Sequence, residues 1–147
     1  MLYNNDMEII TKNIEETYKL AEKIASKLSG GEILLLNGDL GAGKTTFTKG
    51  LAKALDVDDI ITSPTFTIMK EYVGRLNLYH FDMYRIGDCD EVYELGFDDY
   101  LYDQNGVAVI EWNKFDSFET DKVYSMTFNR IDDTTRRIEI DDRLINR

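Results

Sequence analysis

Gly38-Asp39-Leu40-Gly41-Ala42-Gly43-Lys44-Thr45 lies between an apolar run at residues 32–37, Glu-Ile-Leu-Leu-Leu-Asn, and a helical pattern at 44–56 that sets Phe47, Leu51 and Leu55 on one face. A buried strand, a glycine-rich loop and a helix in that order make a phosphate-binding loop. The glycines allow backbone N–H groups to turn inward around a β-phosphate. The helix N-terminus adds partial positive charge there, and Lys44 adds a full one between the β- and γ-phosphates. Thr45 supplies a hydroxyl suited to Mg²⁺. A chance glycine-rich turn is not expected to match all eight positions between a strand and a helix. Gly38, Asp39, Leu40, Gly41, Ala42, Gly43, Lys44, Thr45 and Thr46 are therefore the candidate contacts of a nucleoside triphosphate.

At 147 residues the chain is long enough for one sheet covered by helices and too short for two cores, so residues 1–147 are expected to form a single domain. No stretch approaches a membrane span, and the opening residues show no cationic segment followed by an apolar run. A cytoplasmic setting with no membrane partner is expected. The single cysteine, Cys89, excludes an internal disulfide and a cysteine metal cluster. A net charge of −11 argues against independent binding to nucleic acid, which needs a basic face. Between Asp82 and Asp103 there are eight carboxylates and one basic residue, Arg85. That stretch reads either as a solvated face or as an acidic docking surface.

Working outward from the loop, Asn13 and Glu16 form a capping box ahead of a helix whose apolar positions are Ile14, Tyr18, Ala21, Ile24, Ala25 and Leu28. Ser29-Gly30-Gly31 ends it. Thr62-Ser63-Pro64-Thr65 is a turn or loop. Residues 66–73 and 76–82 read as a hairpin around Gly74-Arg75, which suits a type II′ turn. Residues 91–101 are partly helical with a break at Gly96, and 107–111 form a strand covered on both faces. Residues 122–131 and 136–140 flank Asp132-Asp133 as a second hairpin. The expected fold is α/β: a three-layer sandwich of the P-loop NTPase kind, its mixed sheet having a parallel centre and antiparallel hairpins at the edges.

Hydrolysis requires, beyond the loop, a carboxylate at the carboxyl end of a neighbouring strand. Glu111 ends Val-Ala-Val-Ile-Glu, which reads as a central strand; Asp82 ends the wetter Leu-Tyr-His-Phe-Asp. Burial favours Glu111 as the acid nearest the metal, directly or through a water, with Asp82 orienting either a water beyond the metal's own ligands or the attacking water. The plainer reading of each is an exposed acid closing a strand. Thr65 is either a switch threonine reaching Mg²⁺ and the γ-phosphate or a turn-forming residue. Arg85 is either a cation for the transferring phosphoryl group or a partner of the surrounding acids. His80, the only histidine, reads as a packed or hydrogen-bonded ring on an alternating strand. Trp112 either stacks near the nucleotide or a partner, or packs in the core or at a rim. Six of the nine tyrosines fall between Tyr72 and Tyr102, at an interface or on half-buried strands.

Taken in order, Gly-Asp-Leu-Gly-Ala-Gly-Lys-Thr-Thr-Phe (38–47), Ser-Pro-Thr-Phe-Thr (63–67), His-Phe-Asp-Met-Tyr-Arg (80–85), Glu-Leu-Gly-Phe (94–97) and Ile-Glu-Trp (110–112) closely resemble the TsaE family over residues 30–113. These are small bacterial ATPases required for the threonylcarbamoyladenosine modification at position 37 of tRNA. The resemblance implies ATP and Mg²⁺ as cofactors and a low activity that rises on joining the partner proteins TsaB and TsaD, with tRNA met only through the complex. It implies Lys44 and Thr45 in the phosphate and Mg²⁺ site, Thr65 as the switch threonine, Asp82 and Glu111 as the acidic pair, and Trp112 beside the catalytic strand. Asn113 stands where family members often carry proline or glycine.

Three rival readings exist. Asn113-Lys114-Phe115-Asp116 spells the guanine-recognition pattern of a small GTPase-like switch. Glu111 and Trp112 intervene between it and the apolar strand, and the only Asp-x-x-Gly is Asp103-Gln104-Asn105-Gly106, immediately before that same strand. A small-molecule kinase needs an arginine-rich lid, yet between residues 50 and 129 the only arginines are Arg75 and Arg85. A non-hydrolysing nucleotide-dependent scaffold would not need the acidic pair.

Overall fold

The computed structural model of the protein describes residues 6–64 and 67–146. One seven-stranded sheet runs in the order β1-β7-β6-β2-β5-β4-β3. Its strands are β1 (Asp6–Thr11), β2 (Ile33–Asn37), β3 (Met69–Tyr72), β4 (Asn77–Asp82), β5 (Gly106–Glu111), β6 (Val123–Arg130) and β7 (Arg136–Asp141). β6, β2, β5 and β4 are mutually parallel. The antiparallel pairs are β7 with β6 and β1 at one edge and β3 with β4 at the other. The sheet is mixed with a parallel centre, as the sequence pattern implies.

β2 and β5 are apolar because helices cover both faces. β5 is buried at all six positions, and each fully buried Val or Ile there contributes roughly 1.5–3 kcal/mol relative to exposure. On one face Leu34, Leu36, Leu78, Val107, Val109, Met126 and Phe128 pack under α1 (Ile14–Ala25) and α2 (Lys44–Ala54) through Leu20, Ile24, Phe47 and Leu51. On the other, Ile33, Tyr79, Phe81, Ala108 and Ile110 pack under the shorter α3 (Cys89–Glu94) and α4 (Asp98–Leu101) through Val92 and Leu101. The six-helical-residue α3 ends before Gly96, whose φ of 70° breaks the path between the two short helices. Alternation along each strand thus decides which side chains share a face, and so which can share a site.

The structure departs from the sequence pattern at three places. The β3–β4 connection is not a two-residue type II′ turn: Tyr72 pairs with Leu78, leaving Val73 to Asn77 between them, and Gly74 is not at positive φ. Gly74 is small for another reason, since a Cβ there would lie 2.3 Å from the Leu55 carbonyl oxygen at the end of α2. The sequence pattern also omits β1, whose register partner β7 lies at the far end of the chain. At the start of α1, Asn13 Oδ1 accepts from Glu16 N at 2.8 Å; Glu16 Oε1 accepts from Lys12 N at 2.8 Å, one residue before the expected position.

Candidate functional site

β2 ends at Asn37, and the chain turns through residues 38–43 into α2. Gly38, Gly41 and Gly43 all take positive φ, at 137°, 77° and 112°, a path that L side chains rarely follow and that curls the backbone around a central point. α1 and α3 are capped by the side chains of Asn13 and Asp88 and carry acids in the first turn. α2 has neither a side-chain cap nor a first-turn acid. Its leading N–H groups, which no helix can satisfy internally, are thus left to an anion. Thr45 is exposed on that first turn, and Asp39 and Leu40 are exposed at the crest of the loop.

Lys44 is 5 % exposed. Its Nζ donates to the Gly38 carbonyl at 2.6 Å, lies 3.7 Å from Glu111 Oε1 and sits 4.3 Å from the centre of the Trp112 ring. Glu111 arrives from the tip of β5, the parallel neighbour of β2. Its other oxygen, Oε2, is 2.8 Å from Nε2 of His80, a ring with no exposed surface. Trp112 follows with φ 56°, a left-handed turn that takes the chain off the strand and lays the indole over Lys44. Tyr84 buttresses that indole edge-on at 5.2 Å. Leu36, Asn37, Gly38, Asp39, Lys44 and Trp112 line a cavity of about 210 Å³ at this junction.

Gly38, Lys44, Glu111 and Trp112 therefore converge. Asp82 is the in-register neighbour of Glu111 on β4. Its carboxylate accepts from Tyr84 N at 3.0 Å and from Ser63 Oγ at 3.4 Å, which draws the loop after residue 61 toward the strand tip. Thr65, two residues beyond Ser63, lies outside the described residues. Arg85 is exposed, and Cys89 begins α3 on the opposite layer. The asparagine and aspartate of the guanine-type pattern are otherwise engaged: Asn113 Oδ1 accepts from Phe115 N at 2.9 Å, and Asp116 Oδ1 accepts from the Tyr93 hydroxyl at 2.5 Å.

The oxygen donors suit Mg²⁺, a hard cation commonly held by one or two carboxylates plus substrate phosphates. No group of three or more His, Cys, Asp or Glu able to hold a metal occurs among the described residues. Thr45, Glu111 and Asp82 are the oxygen-bearing side chains that the sequence offered for such an ion.

Arg136 is a neighbour of the loop that sequence reading missed. It starts β7, donates from Nη2 to the Gly41 carbonyl at 3.1 Å, and lays its side chain 3.5 Å from the position a Cβ on Gly43 would take. The β6–β7 turn that presents it is tied by Asp132, whose carboxyl is held below the usual range by the backbone N–H groups of Thr134 and Thr135. Arg136, Asn13, Ile14, Gly43 and Thr46 help line a second cavity of about 300 Å³ behind the loop. A cavity of about 480 Å³ between α1, the end of α2 and Arg75 shares no residue with this site.

The TsaE family, described as "Threonylcarbamoyl adenosine biosynthesis protein TsaE", matches over residues 11–138. The chain belongs to the TsaE family. It is 52% identical over 103 residues to the tRNA threonylcarbamoyladenosine biosynthesis protein TsaE of Bacillus subtilis, covering 69% of this chain and 63% of that one, so the match leaves over a third of that relative unspanned. The TsaE protein of Treponema pallidum is 39% identical over 108 residues, 74% of this chain and 79% of its own. That of Nostoc is 36% identical over 137 residues, 90% and 84% respectively. The crystal structure of YdiB from Bacillus subtilis superposes with a TM-score of 0.75 at 36% identity, covering 95% of this chain and 87% of that chain. The fold of YdiB is therefore shared over nearly the whole chain.

Proposed function

We propose that this chain is a Mg²⁺-dependent ATPase that drives or resets the cytoplasmic multi-protein complex forming threonylcarbamoyladenosine on tRNA, with TsaB and TsaD as its partners. The observation that carries the hydrolytic part is the meeting of Lys44 and Glu111 across 3.7 Å at the mouth of the glycine loop. The family supplies the pathway, since its TsaE relatives are named for threonylcarbamoyladenosine biosynthesis.

The triphosphate enters where Lys44 now bonds Gly38 O, and the ammonium exchanges that carbonyl and Glu111 for phosphate oxygens. The open N–H groups at the start of α2 take the β-phosphate. The nucleoside extends into the cavity beside Arg136, Asn13 and Thr46. Glu111, released from Lys44 on one oxygen, orients the attacking water, while Asp82 orders the loop that carries Ser63 and the proposed switch residue Thr65. Thr45, with Glu111 or Asp82, would hold Mg²⁺, which would supply positive charge against the triphosphate when bound. Trp112 closes the phosphate end from water.

The test is phosphate release from ATP and from GTP, alone and with TsaB and TsaD, followed by assay of tRNA modification in the same mixtures. Slow ATP hydrolysis that rises with the partners is the expected outcome. Transfer of the phosphate to an acceptor would instead support a kinase, a clear GDP preference over ADP would support a GTPase, and modification that persists in Glu111→Ala would support a scaffold.

A further inference from the structure

His80 has no part in the triphosphate site as described so far, yet it is wholly buried at the edge of it. Its position follows from register. On β4, His80 pairs with Val109 of β5, and Asp82 pairs with Glu111. Paired residues of neighbouring strands share a face, and residues two apart along a strand share it too. Leu78, Val109 and Lys44 belong to the face covered by α2, so His80 and Glu111 are diagonal neighbours on the side where the phosphate loop lies. Their contact, Nε2 to Oε2 at 2.8 Å, is a full hydrogen bond.

The two ends of the imidazole differ. Among the described residues Nδ1 is buried with no hydrogen-bond partner, and Nε2 carries the ring's hydrogen bond there. An ionised carboxylate oxygen only accepts, so the 2.8 Å contact requires a proton on Nε2. A histidine kept for packing alone would be better replaced by an apolar ring, because an unpartnered buried nitrogen is unfavourable. The two oxygens of Glu111 are likewise divided: Oε2 faces the ring, and Oε1 faces Lys44 and the loop.

We propose that His80 is the positioning residue for Glu111: as the Nε2–H tautomer it fixes one carboxylate oxygen, so that the other stays aimed at the phosphate end of the loop when Lys44 turns to a nucleotide. This rests on the hydrolytic reading of the site. Without the ring, a glutamate at a strand tip has several rotamers, and only some present an oxygen to the loop. The effect falls on turnover rather than on affinity, because the contacts that hold the phosphates come from α2 and its loop.

Because His80 is the only histidine, its ring nitrogens can be read without ambiguity by ¹H–¹⁵N correlation in the nucleotide-free protein. A proton resident on Nε2, with a resonance that moves in Glu111→Gln, is expected. A ring without that proton, or one averaging between tautomers, overturns the proposal. In kinetics, His80→Phe is expected to lower kcat roughly 10–100-fold, as loss of an orienting partner commonly does, while ATP affinity changes less than about threefold. His80→Gln, whose terminal amide nitrogen can reach the same oxygen, recovers most of the lost rate. Equal kcat in wild type and His80→Phe, or equal loss in His80→Gln and His80→Phe, overturns it. A wild-type protein that releases no phosphate from ATP even with its partners would instead refute the hydrolytic reading, and the ring measurement would still stand.

Discussion

The glycine loop and the β4–β5 tips face the same cavity but are built in opposite ways. The loop is contiguous in sequence, sits at the surface, and takes its shape from positive-φ glycines and the uncapped start of α2. The acidic side joins His80, Asp82 and Glu111 from two strands more than twenty residues apart, and Glu111 and His80 are buried. Backbone groups and one mobile cation can adapt to a ligand. A carboxylate held by a buried ring is fixed before the ligand comes. On the proposed activity, binding belongs to the loop and turnover to the strand tips, and variants can break or sharpen that separation.

The largest expected effect is on turnover. Glu111→Gln keeps size and removes the charge, and is expected to lower kcat for ATP by roughly 10²–10³-fold, within the range for loss of an acid–base group, measured as single-turnover phosphate release. Lys44→Ala should weaken ATP binding on the order of 10–100-fold by calorimetry, since charge-assisted hydrogen bonds are each worth about 1.5–3 kcal/mol. If Lys44→Ala instead lowered only kcat, the division between the two sides would fail. Asp82→Asn, which keeps the bond from Tyr84 N but weakens that from Ser63, is expected to lower kcat roughly tenfold, as an orienting group does.

The smallest effect belongs to the opposite face and serves as a control. Tyr79 packs under α4 and donates its hydroxyl to Asp103. Burial first, and then Asp103, push the Tyr79 hydroxyl up to about 12. The bond from Tyr79 first, then the Asn105 N–H, hold the Asp103 carboxyl below its usual range. The tyrosine's contribution is complete below its unfolded pKa of about 10 and is lost as pH rises toward its folded value. The aspartate's contribution is present above about pH 4 and is lost as pH falls through its lower folded value. Tyr79→Phe should cost about 1 kcal/mol at neutral pH, read as a melting point lower by a few degrees, and leave ATP turnover unchanged. Altered turnover in that variant would show that the two faces of the sheet are coupled.

The same contrast explains what could be read from the sequence. The strand, loop and helix around Lys44, the buried strand ending in Glu111, the Asn13 start of α1 and the Gly96 break are local patterns, and each lies where its residues imply. What was not legible is non-local. The edge strand β1 alternates only weakly between exposed and half-buried positions, and it exists because β7 pairs with it. Arg136 reaches the loop from a hairpin some ninety-five residues away in sequence. The bond between His80 and Glu111 depends on β4 lying parallel to β5 in one register, and a shift by one residue would turn one of them to the other face. Even Gly74, read as a turn-former, is small because the end of α2 comes close to it.

The most direct measurement uses Trp112, the only tryptophan in the chain, whose ring lies over the Lys44 ammonium. Titrating ATP with Mg²⁺ should change its fluorescence saturably in wild type and, with nearly the same midpoint, in Glu111→Gln, while Lys44→Ala shows the change only at much higher ATP. A signal that is unaffected by Lys44→Ala, or a midpoint that moves as far in Glu111→Gln as in Lys44→Ala, would contradict a site in which one wall binds and the other turns over.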